Sequence, residues 1–348
     1  MDTTALDHFL IPLARVLSPA DVTEVCINRP GELWIETHGG WSRHVAEWAT
    51  FEWSVNFGKL LAAASQQRLT ARHPLLSASL PSGERVQIVA PPATPSGTVA
   101  VGIRKNSCVD QSLDNLIAGG FTQGCGVAGS TPEPDTVLSC SYDAHRWGDF
   151  LRQAVRARKN ILVSGPTGAG KTTLTRALIA EVDPVERLIT IEDAPELTLS
   201  TDSNAVRLFY SKDEQGLSTL TPKHLLEACL RLRPERILLA ELRGAEAYHY
   251  LRAVNSGHPG SITSIHASSC RLAFEQLSLL VKESDAGRDM PRRDIHVLLR
   301  QVVDVVVHCD RLAGRRHIRE IWWRGAGLRR ASGDNYTALP SRRTQVKD

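Results

Sequence analysis

The sequence predicts an α/β protein in two parts: an α+β N-terminal domain over residues 1–105 and a P-loop domain with a largely parallel sheet over residues 144–325. Three observations carry that prediction. A Gly-rich phosphate-loop pattern, Gly165, Pro166, Thr167, Gly168, Ala169, Gly170, Lys171, Thr172, lies between an apolar run and a helical stretch that opens at Thr173. Further apolar runs alternate with helical segments after it, as in parallel βα units. The length, 348 residues, suggests two domains on the usual size scale.

In the first part, Val22–Ile27 and Glu32–Glu36 alternate like strands about a turn at Pro30 and Gly31. Asn56–Leu69 has helical spacing, and Arg85–Val89 and Val99–Arg104 again read as strands. Residues 106–143 form a linker rich in Gly and Pro, with Gly119, Gly120, Gly124 and Gly129 among them. A helix from about Ala144 to Arg158 leads into the strand Asn160–Ser164, and the helix Thr173–Ala180 follows the phosphate loop. The runs Leu188–Ile191, Ile237–Ala240 and Ser261–Ile265 read as buried parallel strands. Pro222–Leu232 and Glu246–Asn255 are helices between them, and Val302–His308 is a further strand. Residues 326–348 are a basic, polar tail.

Composition excludes several classes. Net charge is +3, too small to imply nucleic acid or an anionic membrane by itself. No apolar run approaches the ~20 residues of a spanning helix. The acidic start lacks the basic region and apolar core of a signal peptide, which points to the cytosol. The seven cysteines are scattered with no C-x-x-C pair, so neither a disulfide framework nor a zinc site is expected.

The chemistry centres on the phosphate loop. Glycines let backbone N–H groups surround phosphates, and the helix N-terminus adds its dipole and unpaired donors. Lys171 is placed to reach the β- and γ-phosphates and the Thr172 hydroxyl to ligate Mg²⁺. Phosphoryl transfer also needs acids. Glu192-Asp193 and Glu241 each end an apolar strand, on the rim where ligands gather in an open parallel sheet. One carboxylate there can hold the metal or its water while another orients the attacking water. An acid after a strand can equally cap the next helix. His258 and His266 bracket a short strand, where an imidazole could sense a γ-phosphate; on chemistry alone, two hydrogen-bonded structural histidines are the simpler account.

Taken in order, Gly165–Thr172, Ile191–Leu197, Leu232–Ile237, Glu241–Gly244 and Gly257–His266 resemble the Walker A, Asp-box, Walker B and His-box blocks of the type II/type IV secretion traffic ATPases. Pro81–Gln87, Pro91-Pro92 and Gly102–Lys105 are similar, more weakly, to the conjugation-type, type IV secretion branch. The resemblance implies a RecA-like domain that binds ATP and Mg²⁺, and a homo-hexameric ring. The ring would be cytoplasmic, peripheral to the inner membrane, docked on secretion components, with no specific nucleic-acid partner. It implies that Glu192 positions water, Glu241 is the Walker B acid and metal partner, and His266 lies near the γ-phosphate. It brings Arg85 and Arg104 of the N-terminal domain to the nucleotide, with Arg207 and Arg243 as further cations. Ala240 replaces a common glycine, Ser264 and Ser268 replace a common Thr and Asn, and the tetracysteine site of the type II branch is absent. The implied function is a motor for pilus assembly or substrate transfer in type IV secretion. A type IV pilus or type II assembly motor, a nucleotide-gated scaffold with little turnover, and a nucleic-acid translocase are the alternatives.

Overall fold

The computed structural model describes residues 4–105, 112–123, 125, 136–211 and 216–326. Much of the expected linker, and the expected tail from residue 327, lie outside the described residues.

The first part is one antiparallel sheet with two helices. α1 (Thr4–Leu17) precedes β1 (Val22–Ile27), β2 (Gly31–Thr37) and β3 (Gly40–Ala46); α2 (Phe51–Ala64) precedes β4 (Leu75–Ser79), β5 (Arg85–Val89) and β6 (Ala100–Arg104). Strand order is β3-β2-β1-β6-β5-β4. Leu13 of α1 and Phe57 and Leu61 of α2 bury against Val25, Ile88 and Val101 of the sheet. The α2 span starts five residues before the helix expected at Asn56–Leu69, because Thr50 caps it by accepting from Trp53 N at 3.0 Å. Leu69 is not helical; its side chain lies against the open face of Gly58.

Within the stretch expected as linker, α3 (Leu113–Ala118) and α4 (Thr136–Asp143) are helical. Leu138 of α4 buries in a core with Phe150 and Val155 of α5 (Trp147–Arg156). Beyond come β7 (Ile161–Ser164), α6 (Lys171–Ile179), β8 (Leu188–Glu192), β9 (Ala205–Phe209), α7 (Pro222–Cys229), β10 (Arg236–Leu239), α8 (Glu246–Asn255) and β11 (Ile262–Ile265). The chain then runs through α9 (Cys270–Glu283), α10 (Asp285–Arg288), α11 (Arg292–Val302), β12 (Val305–Leu312) and β13 (Arg315–Trp323).

Here the strands pair mostly in parallel. One ladder is β10-β8-β9 and the other is β11-β7-β12, with β13 antiparallel at its edge. The ladders meet at β10 and β11. Side-chain hydroxyls bridge that seam: Ser264 Oγ donates to Ala240 O at 2.8 Å, and Ser261 Oγ donates to Ile237 O. Leu242 N closes it by donating to Ser264 O at 2.8 Å. β7 is apolar and wholly buried, as a strand covered on both faces must be. Its register is held at its foot by Asn160, which donates to Val302 O and accepts from Gly260 N and Ser261 N.

The two parts share core. Val89, Ala93 and Ala100 pack with the buried side chains of α7, α8 and β8. Arg187, fully buried, donates to Leu232 O, Asn28 Oδ1 and Asn204 Oδ1, and Arg233 pairs with Glu36 at 2.6 Å. The molecule is thus a mixed α/β fold whose central parallel strands end on one rim.

Candidate active site

The rim carries a cleft of about 360 Å³ lined by the loop residues Thr167, Gly168 and Gly170, the start of α6 at Lys171–Thr173, the acids Asp193, Glu196 and Glu241, and Arg243, His266 and Arg316. Its floor follows from local backbone chemistry. The loop leaves β7 at Gly165 and re-enters helix at Gly170, and Gly165, Gly168 and Gly170 all have positive φ, at 154°, 76° and 96°. Such angles are strained for any residue with a Cβ. Gly165 is further pinned because a Cβ there would meet the Cys309 carbonyl oxygen. Pro166 and Ala169 complete the loop, with Ala169 buried in the core beneath it.

Lys171 curls back over this loop. Its Nζ donates to Gly165 O at 3.0 Å and Pro166 O at 3.3 Å. Burial pushes its pKa below the ordinary lysine value, and the nearby Glu241 carboxylate pulls partly back. Nζ also lies 3.5 Å from His266 Nδ1, and His266 Nε2 lies 2.9 Å from Glu241 Oε1. Arg243 grips Glu241 Oε2 and reaches Asp193 Oδ2 at 3.3 Å. A line of polar contacts therefore runs from the loop lysine through His266 and Glu241 to Arg243 and Asp193. Thr172 Oγ1 donates to Glu196 Oε2 at 3.3 Å, and Arg176 holds Glu196 by its backbone oxygen at 2.6 Å.

The structure thus gathers Gly165–Thr173, Glu241 and His266 in one place. It does not bring Glu192 there. The Glu192 carboxylate is fully buried and saturated: it accepts from Thr190 Oγ1 at 2.8 Å and Leu197 N at 2.7 Å, and pairs with Arg207 at 3.2 Å. Side chains alternate along an extended strand, so Glu192 lies on the face of the sheet that carries Thr190 and, on β9, Arg207, while Asp193, one step on, lines the cleft. Arg85 and Arg104 are also elsewhere. They sit side by side across β5 and β6 and line a separate cleft of about 420 Å³ with Ser77, Gln67 and Arg231. Arg104 pairs there with the buried Glu24 at 2.9 Å. His258 is structural in the sense expected, with Nδ1 2.8 Å from Pro234 O. Glu196 and Arg316 were not legible as site residues.

The Glu192 knot yields a prediction. Glu192→Gln must turn an amide donor towards either Leu197 N or Arg207, and breaking a buried pair costs about 3–5 kcal/mol. The melting temperature of the variant should fall by roughly 6–20 °C at the usual 2–4 °C per kcal/mol for a domain of this size. A variant that melts like the unmodified chain yet has lost turnover would return a direct chemical role to Glu192.

Could the cleft hold Mg²⁺? Glu241 Oε1 is buried, close to His266, yet aligned with no hydrogen-bond donor. A buried carboxylate oxygen with no aligned donor, in a cleft also lined by the Thr172 hydroxyl and further carboxylates, belongs to an oxygen set suited to a hard cation. The residues fit the metal.

Comparisons with known proteins agree with this geometry. A family profile described as "Type II/IV secretion system protein" matches residues 136–338. The Type IV secretion system protein VirB11 of Bartonella quintana (strain Toulouse) is 43% identical over 338 residues, 94% of this chain and 95% of that protein. VirB11 of Brucella suis biovar 1 (strain 1330) is 42% identical over 92% of this chain and 90% of its own. The solved structure of the VirB11 ATPase from the Brucella suis type IV secretion system, in complex with sulphate, matches with a TM-score of 0.88 at 41% identity, over 94% of this chain and 98% of that one. With the phosphate loop, the strand-end acid and the histidine meeting on one rim, and with relatives of this identity along nearly all its length, the chain belongs to the type II/IV secretion system protein family, among its type IV secretion ATPases.

Proposed function

We propose that this chain hydrolyses ATP as a motor of a bacterial type IV secretion system, using its RecA-like P-loop domain as the engine. The observation that carries the reading is the convergence of Lys171, Thr172, Glu241 and His266 on one cleft at the carboxyl ends of parallel strands.

The chain's own groups have definable tasks. The backbone donors of Gly168–Lys171 bind phosphate oxygens, and Lys171 exchanges its two carbonyl partners for the β- and γ-phosphates. The Thr172 hydroxyl and Glu241 would hold Mg²⁺, with Glu196 beside the hydroxyl. When bound, the metal would neutralise charge on the β- and γ-oxygens. Glu241 orients the attacking water and accepts its proton as the terminal P–O bond breaks. His266 bridges Lys171 and Glu241, so it registers the γ-phosphate that would separate them.

Arg85 and Arg104 lie outside this cleft within one chain, which supports a ring. A neighbouring copy, or closure of the N-terminal sheet, would deliver them, and an arginine supplied to the transferring phosphoryl group is worth 10³–10⁵ in rate where it acts as a finger. Mg²⁺ dependence, a homo-hexamer, docking on inner-membrane components and a cytoplasmic, membrane-peripheral location all belong to this reading. No helix among the described residues is long and apolar enough to cross a membrane. The experiment is phosphate release measured alongside light scattering. Activity per chain should rise with concentration as the ring forms, and Arg104→Ala should lower it without unfolding the P-loop domain. Full activity from a monomer at every concentration would defeat the ring-coupled mechanism.

A further inference from the structure

The β12–β13 hairpin brings a cation to the phosphate loop that no motif contains. Its stem is Arg316. Its aliphatic part lies over Gly170, so closely that a Cβ at Gly170 would sit 2.9 Å from Arg316 Cδ. Its Nη1 donates to Thr173 Oγ1 at 3.4 Å, and the residue lines the cleft. Among the described residues no carboxylate pairs with it, whereas Arg243, the other arginine of the cleft, is committed to Glu241 and Asp193. An arginine laid along a phosphate-binding loop, with its fork open and only a weak hydroxyl contact, is a donor set for an oxyanion.

Position along the loop says which one. Lys171, His266 and Glu241 mark the end where a terminal phosphate reacts. Arg316 lies at Thr173, beyond Thr172 and away from that end. Loop and helix donors there face the inner phosphates of a nucleotide. We infer that Arg316 is a nucleotide-binding residue that contacts the inner, α- and β-phosphates within the same chain. It acts on nucleoside di- and triphosphates alike and leaves the reacting phosphate to Lys171 and Glu241. The inference rests on the nucleotide-binding reading and deepens it. It also gives the hairpin a use: β13 is an exposed edge strand, and Arg316 ties its start to the nucleotide.

The test is equilibrium ADP binding, read by calorimetry on the full chain with Mg²⁺, with ATP turnover measured beside it. Arg316→Ala should weaken ADP by about tenfold or more, the loss of one charge-assisted contact to phosphate. KM for ATP should rise in parallel and kcat stay within about twofold, because an interaction equal in ground and transition states moves KM alone. Arg316→Lys should recover part of the affinity, keeping charge but not the fork. Arg315→Ala, which removes the same charge from the opposite face of the strand, should bind ADP like the unmodified chain. If Arg316→Ala binds ADP with unchanged or higher affinity while the unmodified chain binds it well, this inference fails alone. A fall in kcat at unchanged ADP affinity overturns it too, by placing Arg316 at the reacting phosphate. If the unmodified chain does not bind ADP, the nucleotide reading falls and this falls with it.

Discussion

Lys171→Ala should abolish nearly all ATP hydrolysis, a loss of roughly 10²–10³-fold or more by comparison with other single electrostatic donors, while the protein stays folded. The ammonium is the cation nearest the reacting end of the cleft, and it bridges the Gly165 and Pro166 carbonyls of the loop. The stability half of the expectation follows from its pKa. Burial lowers it, so the folded chain holds the Lys171 proton less firmly than the unfolded chain does. Protonated Lys171 therefore opposes folding in full below its lowered folded pKa, and that opposition fades as pH rises from there to the unfolded lysine value. Removing it should leave the melting temperature unchanged or slightly raised. The same shift sets a pH dependence on binding. A bound phosphate restores the lysine's pKa upward, so the complex takes up protons, and ADP affinity should decline as pH rises through the lowered value of the free enzyme. Calorimetry and melting of the variant decide both points. Wild-type turnover in a folded Lys171→Ala protein would remove the phosphate loop from the mechanism.

What was legible in the sequence followed from local rules. The phosphate loop could be read because its glycine angles, its flanking strand and its helix are all set within a short stretch of chain. Glu241 could be read because the apolar run of β10 ends just before it. The parity of Glu192 could not. Ile189, Thr190, Ile191 and Glu192 alternate apolar and polar, but β8 is buried along its whole length, so the alternation does not say which face looks into the cleft. The register with β9 puts Arg207 on the same face as that carboxylate and ties it there. Arg316 was illegible for a different reason. It meets Thr173 across 143 residues of chain, on a strand whose residues are mostly exposed and charged and that carries no motif. Arg85 and Arg104 were placed by resemblance, and the single chain holds them at another cleft, so their use needs a second body or a closure that one conformation does not contain.

Glu241→Gln should separate binding from chemistry. The amide keeps the shape of the carboxylate and can still accept from Arg243, and Arg243 retains Asp193. It cannot take a proton from water, and its weaker oxygen is a poor partner for a divalent cation. ADP affinity should therefore change little, by less than about threefold, because the loop backbone and Lys171 carry phosphate binding. Turnover should fall by roughly a hundredfold or more, the usual weight of a positioned base. The Mg²⁺ concentration needed for half-maximal activity should rise, since one of the two side chains facing the metal has lost its charge. His266 offers an internal check. With its Glu241 contact weakened it leans on Lys171 at 3.5 Å, so any imidazole signal of the nucleotide-free protein should shift towards the position it takes with nucleotide bound. Stopped assays for phosphate release at several Mg²⁺ levels, run beside ADP calorimetry, measure each part separately. Turnover retained in Glu241→Gln would leave Asp193 and Glu196 as the acids in the cleft able to serve the water, and would move the chemical centre to the opposite side of Arg243.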